Sequence, residues 1–429
     1  MTRSTRRAVL LGLGTISLAG CLSDSDEKPG DGTGVYDPGT GGNETTDGQN
    51  GSESGGENTD SLEDLAPVWT YEVGTWLDTA VDGVVYGRED FMHGSGGFVA
   101  LEAETGDRLW AYGEANGYSS FTRPLVDDGL YAGYGDDAIG SGSGRLHALD
   151  LDGTERWTLD TGSVYHQPRL WNGTIYVGSD DGNVWAVDAE SGDTVWSKSV
   201  DGEDDHPVDP RVEAVADGVV YVTKYGEFLA FEADTGDEQW HHDLGDDRVR
   251  TFHLADDGDG TTDPEAIYYS TYDAVGRLTN GESDWTTTLE SAVAVHALED
   301  DSLVVTFGYA IGVLDPADGN LRWSIEREEK GSLALTADGI LLATDENEVS
   351  LRSLDGSERW TTPIENEIER LYPAQDALYV VTETGLVRLT RAGEIEATAS
   401  IPDVRSLVVD DLVIVGAREK TYGLERSLE

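Results

Sequence analysis

Beyond residue 66 the chain is written in short apolar stretches separated by turn residues. A stretch such as Val219-Val220-Tyr221-Val222 is rich in β-branched and aromatic residues, which favours a strand. Asp-Gly pairs bound many of these stretches, as at Asp82-Gly83, Asp181-Gly182 and Asp217-Gly218, and glycine's access to positive φ suits a tight hairpin. No segment carries convincing helical periodicity, so the fold class is all-β. The pattern also repeats. Residues 168–196 read as an apolar strand, a turn, a β-branched strand and the Asp181-Gly182 turn. A third strand at 184–187 follows, then Ser191-Gly192-Asp193 and an outer strand carrying Trp196. Units ending at Trp110, Trp240, Trp323 and Trp360 follow the same plan. Tryptophan recurs at Trp69, Trp110, Trp157, Trp196, Trp240, Trp285, Trp323 and Trp360, about 42 residues apart, the period of a four-stranded propeller blade.

Residues 67–429 are therefore expected to form a single β-propeller. Val68-Trp69-Thr70-Tyr71 looks like an outer strand with no blade before it, and 403–425 looks like three strands with no outer strand after them. Pairing the two ends closes the ring and removes the exposed sheet edges. Complete units end at or near residues 110, 157, 196, 240, 285, 323, 360 and 397, and the hybrid of the two ends adds one more. Rings normally stop at about eight blades, so eight are expected, although the tally permits nine.

The recurring Ala-x-Thr-Gly-Asp-x-x-Trp turn is carried by Ala103, Thr105, Gly106 and Trp110, by Ala189, Gly192 and Trp196, and by Ala233, Thr235, Gly236 and Trp240. It resembles the PQQ-like β-propeller repeat of quinoprotein dehydrogenases and of the BamB outer-membrane assembly lipoproteins. The resemblance implies that the eight periodic tryptophans dock between neighbouring blades and lock the ring. It does not fix the function. A quinone-dependent dehydrogenase needs a stacking aromatic, a Ca²⁺ ion and a carboxylate base. Many alcohol-oxidising members also carry adjacent cysteines and long loops. This chain has one cysteine and compact units, so no catalytic residues are assigned and PQQ is not expected. Assembly of outer-membrane barrels, the other implication, requires an outer membrane.

The N-terminus reads as an address. Arg3, Arg6 and Arg7 precede an apolar run too short to span a bilayer comfortably, the layout of an export signal over residues 1–20. The Arg6-Arg7 pair resembles a twin-arginine signal, without the usual aromatic after it. Residues 18–21, Leu-Ala-Gly-Cys, resemble a lipobox, which implies cleavage before Cys21 and lipidation of it. As the only cysteine, Cys21 excludes an intrachain disulfide, so the exported domain needs a large core. Residues 22–66 hold twelve acids and one lysine among Gly, Ser, Thr and Asn, and are expected to be a flexible tether between the lipid and the propeller. The expected location is the outer face of the cytoplasmic membrane.

Charge sharpens this picture. The chain has 85 Asp plus Glu against 28 Lys plus Arg, a formal net charge of −57, and only five of the basic residues are lysines. Such a surface repels phosphate backbones, which excludes nucleic acid as a partner. High carboxylate density with little lysine suits a protein hydrated in concentrated salt, where repulsion is screened, and points to a haloarchaeal source. Haloarchaea have no outer membrane, so only the scaffold logic of the BamB resemblance carries over.

Candidate chemistry is sparse. The eight histidines form no metal-ligating pair, and His241 and His242 alternate on an outer strand, where solvated surface is expected. Asp257, Asp259 and Asp263, with Gly260 to turn the chain, offer hard oxygen donors for a structural Ca²⁺. They resemble the calcium loops of integrin-type propeller repeats, except that Ala255 stands at the first ligand position. Asn43, Asn50 and Asn172 begin glycosylation triplets. Loop insertions at 90–97, 134–144 and 256–265 mark candidate binding rims, with Phe91, Tyr118, Phe121 and Tyr134 as anchors unless they serve the blade core. The reading is a lipid-anchored, non-catalytic scaffold for an unnamed protein partner. Its alternatives are a PQQ- and Ca²⁺-dependent sugar or alcohol dehydrogenase and a solute receptor or sensor.

Overall fold

The computed structural model describes residues 63–89, 97–113, 120–135, 144–200, 209–245, 247–256, 262–290, 293–299, 302–326, 332–344 and 346–426. Among these residues every regular element is a strand. They form nine sheets, each with a core of four antiparallel strands, arranged as the blades of a propeller. Blades 1 to 8 follow the chain, at 75–112, 120–160, 169–199, 211–243, 251–288, 294–326, 333–363 and 368–399. Blade 9 joins the two ends: Val404–Val409, Leu412–Ala417 and Thr421–Glu425 supply three strands, and Pro67–Tyr71 pairs with the last of them. Blades 9 and 1 meet where Leu77 N–H donates to Ser406 Oγ at 2.8 Å and the hydroxyls of Thr75 and Thr421 lie 2.7 Å apart.

The nine-blade tally therefore replaces the expected eight. All eight complete units build a sheet, including the one at 368–399, which lacks the tryptophan, and the joined ends build the ninth. In the unit at 368–399, Ala397 sits at the register position that Trp110, Trp157 and Trp196 occupy in their blades.

Burial explains why the apolar runs look continuous. The second and third strands of each blade lie between neighbouring sheets, so both faces are covered, as in Val219–Lys224 and Phe98–Glu102. Outer strands alternate, and in Arg108–Tyr112 and Glu238–Asp243 the tryptophan occupies a less exposed position. The core is divided into clusters that straddle blade boundaries. One joins Tyr176 and Val184 of blade 3 to Val220 and Phe231 of blade 4.

Part of the acidity is structural. Asp152, Asp188 and Asp315 each accept a backbone N–H within a tight turn, from Thr154 at 3.0 Å, Ser191 at 2.8 Å and Ala317 at 2.9 Å. Those backbone hydrogen bonds hold the three carboxyls below their usual range.

Candidate functional site

The tryptophans sit at the seams. Trp69 Nε1 donates to Ala103 O at 3.0 Å, Trp110 to Leu151 O at 2.8 Å, and Trp157 to Ala189 O at 3.0 Å. Trp196, Trp285, Trp323 and Trp360 make the same bond to Ala233, Pro316, Leu354 and Arg391. In each case the acceptor lies in the third-to-outer turn of the following blade. The turn glycine accounts for the motif. Gly106 has φ of +72°, and a Cβ there would lie 2.3 Å from the Trp69 ring. The position therefore needs both left-handed backbone and the absence of a side chain. At the seam of blades 4 and 5, Trp240 faces Gly281, and His242 Nδ1 lies 2.8 Å from Gly281 O. His242 is thus part of the seam, not solvated surface. His241 is exposed and pairs with Glu227 at 3.0 Å.

The seam between blades 8 and 9 has Ala397 and no tryptophan, and it is closed differently. Glu63–Asp64 adds to the outer edge of blade 8 as a parallel strand. Leu65, 4% exposed, then packs into one cluster with Ala397, Ala399 and Leu424. On the same seam Arg426 of blade 9 reaches Asp376 of blade 8 at 2.8 Å, and Arg388 pairs with Glu396. The Arg426 hydrogen bond holds the Asp376 carboxyl below its usual range.

The inner strands of blades 8, 9 and 1 enclose a cleft of about 590 Å³. Its wall carries Trp76, Asp78, Arg88, Arg123 and Arg405. The Asp78 side chain is 3% exposed. It accepts two hydrogen bonds from Arg88, Nε to Oδ2 at 2.9 Å and Nη2 to Oδ1 at 3.0 Å. Arg123 Nε lies 3.4 Å from Oδ1, and its Nη2 donates to the Asp78 carbonyl at 3.0 Å. Burial pushes the Asp78 carboxyl up, against the pull of both guanidinium groups. Arg405 lies over the Trp76 ring, 5.4 Å from its centroid.

These residues do not fit a quinone with its calcium ion. The aromatic face that would stack on the ring already carries Arg405, and the buried carboxylate is fully engaged by Arg88 and Arg123. Among the described residues no three His, Cys, Asp or Glu side chains are grouped to hold a metal ion.

Other sequence candidates scatter. Phe121 is 6% exposed and packs on Phe98 at 4.5 Å and on Tyr134 at 5.1 Å, so both belong to the core between blades 1 and 2. Asn172 lies exposed in the turn between the first two strands of blade 3. Cys21, the export signal, Asn43, Asn50, Phe91, Tyr118, Asp257 and Asp259 lie outside the described residues, as does the side chain of Asp263. Sequence reasoning missed the cleft because its walls come from strands about 330 residues apart along the chain. The alternating residues Trp76, Asp78 and Ala80, set against Arg405, were the only signal.

Comparison with known proteins follows the fold. The family model described as outer membrane protein assembly factor BamB matches residues 99–310 and 307–417. The Burkholderia pseudomallei protein of that name is 29% identical over 140 residues, 31% of this chain and 34% of the relative. The chain thus spans about a third of that relative's length. The quinohemoprotein alcohol dehydrogenase of Comamonas testosteroni is 26% identical over 198 residues, 43% of this chain and 22% of that enzyme. Its crystal structure superposes with a TM-score of 0.51 at 14% identity, covering 85% of this chain and 77% of the enzyme, a likeness of fold alone. With the family model spanning the blades from the first to the ninth, the chain belongs to the family of the outer membrane protein assembly factor BamB.

Proposed function

We propose that the chain is an exported, lipid-anchored propeller that holds a protein partner and catalyses no reaction. The observation that carries this reading is the clamped state of Asp78. A general base must be within reach of a substrate proton and able to accept it. The one buried carboxylate of the cleft instead faces two guanidinium groups. Seven indole N–H bonds across seams make the ring a rigid platform, which suits recognition by its rims. Membership of an assembly-factor family supports the same direction, without naming a partner. Cys21 would carry the lipid at the outer face of the cytoplasmic membrane. The test is affinity capture of the tagged full chain from native membranes in molar KCl. A reproducible protein partner supports the scaffold, and its absence overturns it.

The similarity to the Comamonas dehydrogenase favours one second reading, a quinone-dependent oxidation. Reconstitution with pyrroloquinoline quinone, Ca²⁺ and a dye acceptor separates the two. Dye reduction with sugars or alcohols would replace the scaffold reading with an enzyme.

A further inference from the structure

Among the described residues only three aromatic side chains are more than half exposed: Tyr225 at 52%, Tyr272 at 57% and Tyr309 at 56%. They occupy one equivalent place, the turn joining the second strand to the third, in the adjoining blades 4, 5 and 6. At the same turn blade 3 has Asp180 and Asp181, blade 8 has Glu383 and Thr384, and blade 9 has Arg418 and Glu419. Antiparallel alternation sets these turns on the rim that also carries the connections between blades. The three tyrosines therefore form one row on one rim.

Two observations say that the row is more than incidental exposure. Tyr225 has φ of +48°, whereas the other six non-glycine residues at positive φ among the described residues are all Asp or Asn. A left-handed tyrosine is strained, because its Cβ crowds the following carbonyl oxygen, and strain of this kind gathers at functional positions. The connection from blade 4 to blade 5 also lays its arginines on the row. The Arg248 guanidinium is 4.4 Å from the Tyr225 centroid, and that of Arg250 is 5.8 Å from Tyr272. Tyr309 has no such partner among the described residues. The Glu290 carboxylate lies beside its turn, where a Cβ on Gly308 would be 3.4 Å from Oε2. Asp247, Asp273 and Glu290 are exposed around the row, so the rim is net acidic despite its two arginines.

We infer that this rim docks an arginine-bearing segment of a partner protein, with a partner guanidinium on the Tyr309 ring and Glu290 as its counter-charge. The segment would repeat, at blade 6, the contact that Arg248 and Arg250 already make at blades 4 and 5. A cationic segment complements both the rim carboxylates and the net charge of −57. Ring-face contact also acts at short range, so it persists where salt screens more distant charges. Tyrosine and arginine are the residue types that dominate binding energy at protein interfaces.

The inference rests on the scaffold reading and deepens it. Its test places a photo-crosslinking benzoylphenylalanine at Tyr309, or at Leu151 on the opposite rim as control, in the full chain in membranes at molar KCl. The expected result is a crosslink from position 309 alone, to a peptide containing arginine. The triple variant Tyr225→Asn, Tyr272→Ser, Tyr309→Ser should melt no lower than wild type and recover the same partner at least about tenfold less well. Equal recovery by the triple variant overturns the inference, as does a crosslink to an arginine-free segment, to a second copy of this chain or to lipid. If wild type captures a partner and the tyrosines do not matter, only the docking row falls. If wild type captures nothing, the scaffold falls with it.

Discussion

Replacing Leu65 by alanine probes the one seam that has no tryptophan. Leu65 is 4% exposed and packs against Ala397, Ala399 and Leu424 across blades 8 and 9. Its neighbours there include two alanines, short side chains that cannot reach into a vacated space. The cost should therefore fall within the usual range for a buried Leu→Ala change, about 2–5 kcal/mol, with about 3 kcal/mol expected. Unfolding entropy of roughly 2.1 cal/mol/K per residue over about 360 residues converts 3 kcal/mol into a fall in Tm of about 4 °C. Calorimetry in molar KCl measures the shift directly. Leu65→Met, which nearly conserves volume, should cost less than about 1.5 kcal/mol and serves as the control. A fall below about 1 °C for Leu65→Ala would show that the clasp does not close the ring, and the account of the eighth seam would be wrong.

Three further outcomes are expected. Gly106→Ala sets a Cβ 2.3 Å from the Trp69 ring at a φ of +72° and should lose roughly 2–4 kcal/mol, read by thermal unfolding. Asp376 has a carboxyl pKa depressed by Arg426, so the stability it contributes is present above the ordinary aspartate range and is lost as pH falls through the folded value. Acid titration of unfolding should show a loss below about pH 4 that Asp376→Asn diminishes. Tm should fall between molar and millimolar KCl, because a net charge of −57 is then unscreened; an unchanged Tm contradicts the salt-adapted reading.

Much of the fold is legible in the sequence because each blade repeats the same local solution. Glycine at a left-handed turn, a tryptophan a few residues later and strands apolar on both faces are signals carried within a single unit. The eighth seam is not legible in this way. Its plug, Leu65, lies in a stretch whose composition reads as tether, and what makes it core is a strand pairing with residues more than 330 positions away. The cleft fails for a related reason, since Trp76 meets Arg405 only after the ring closes, and Asp78 meets Arg123 only once blade 2 packs on blade 1. For Phe121 and Tyr134 the sequence leaves surface anchor and blade core open, and packing decides for the core: Phe98 of the neighbouring blade packs on Phe121, and Phe121 on Tyr134. The tyrosine row was visible in principle. Tyr225, Tyr272 and Tyr309 stand 15, 13 and 14 residues before the tryptophan that ends their unit, in the short turn between its second and third strands.

The central claim is that this ring exists to hold another protein. The most direct measurement is the mass of the particle that carries the chain. The full chain is extracted from native membranes in a mild detergent at molar KCl and sized by light scattering. The account predicts a protein mass above that of one chain, with a second polypeptide in fixed ratio to it. A particle containing this chain alone, at the mass of a single copy, would contradict the account.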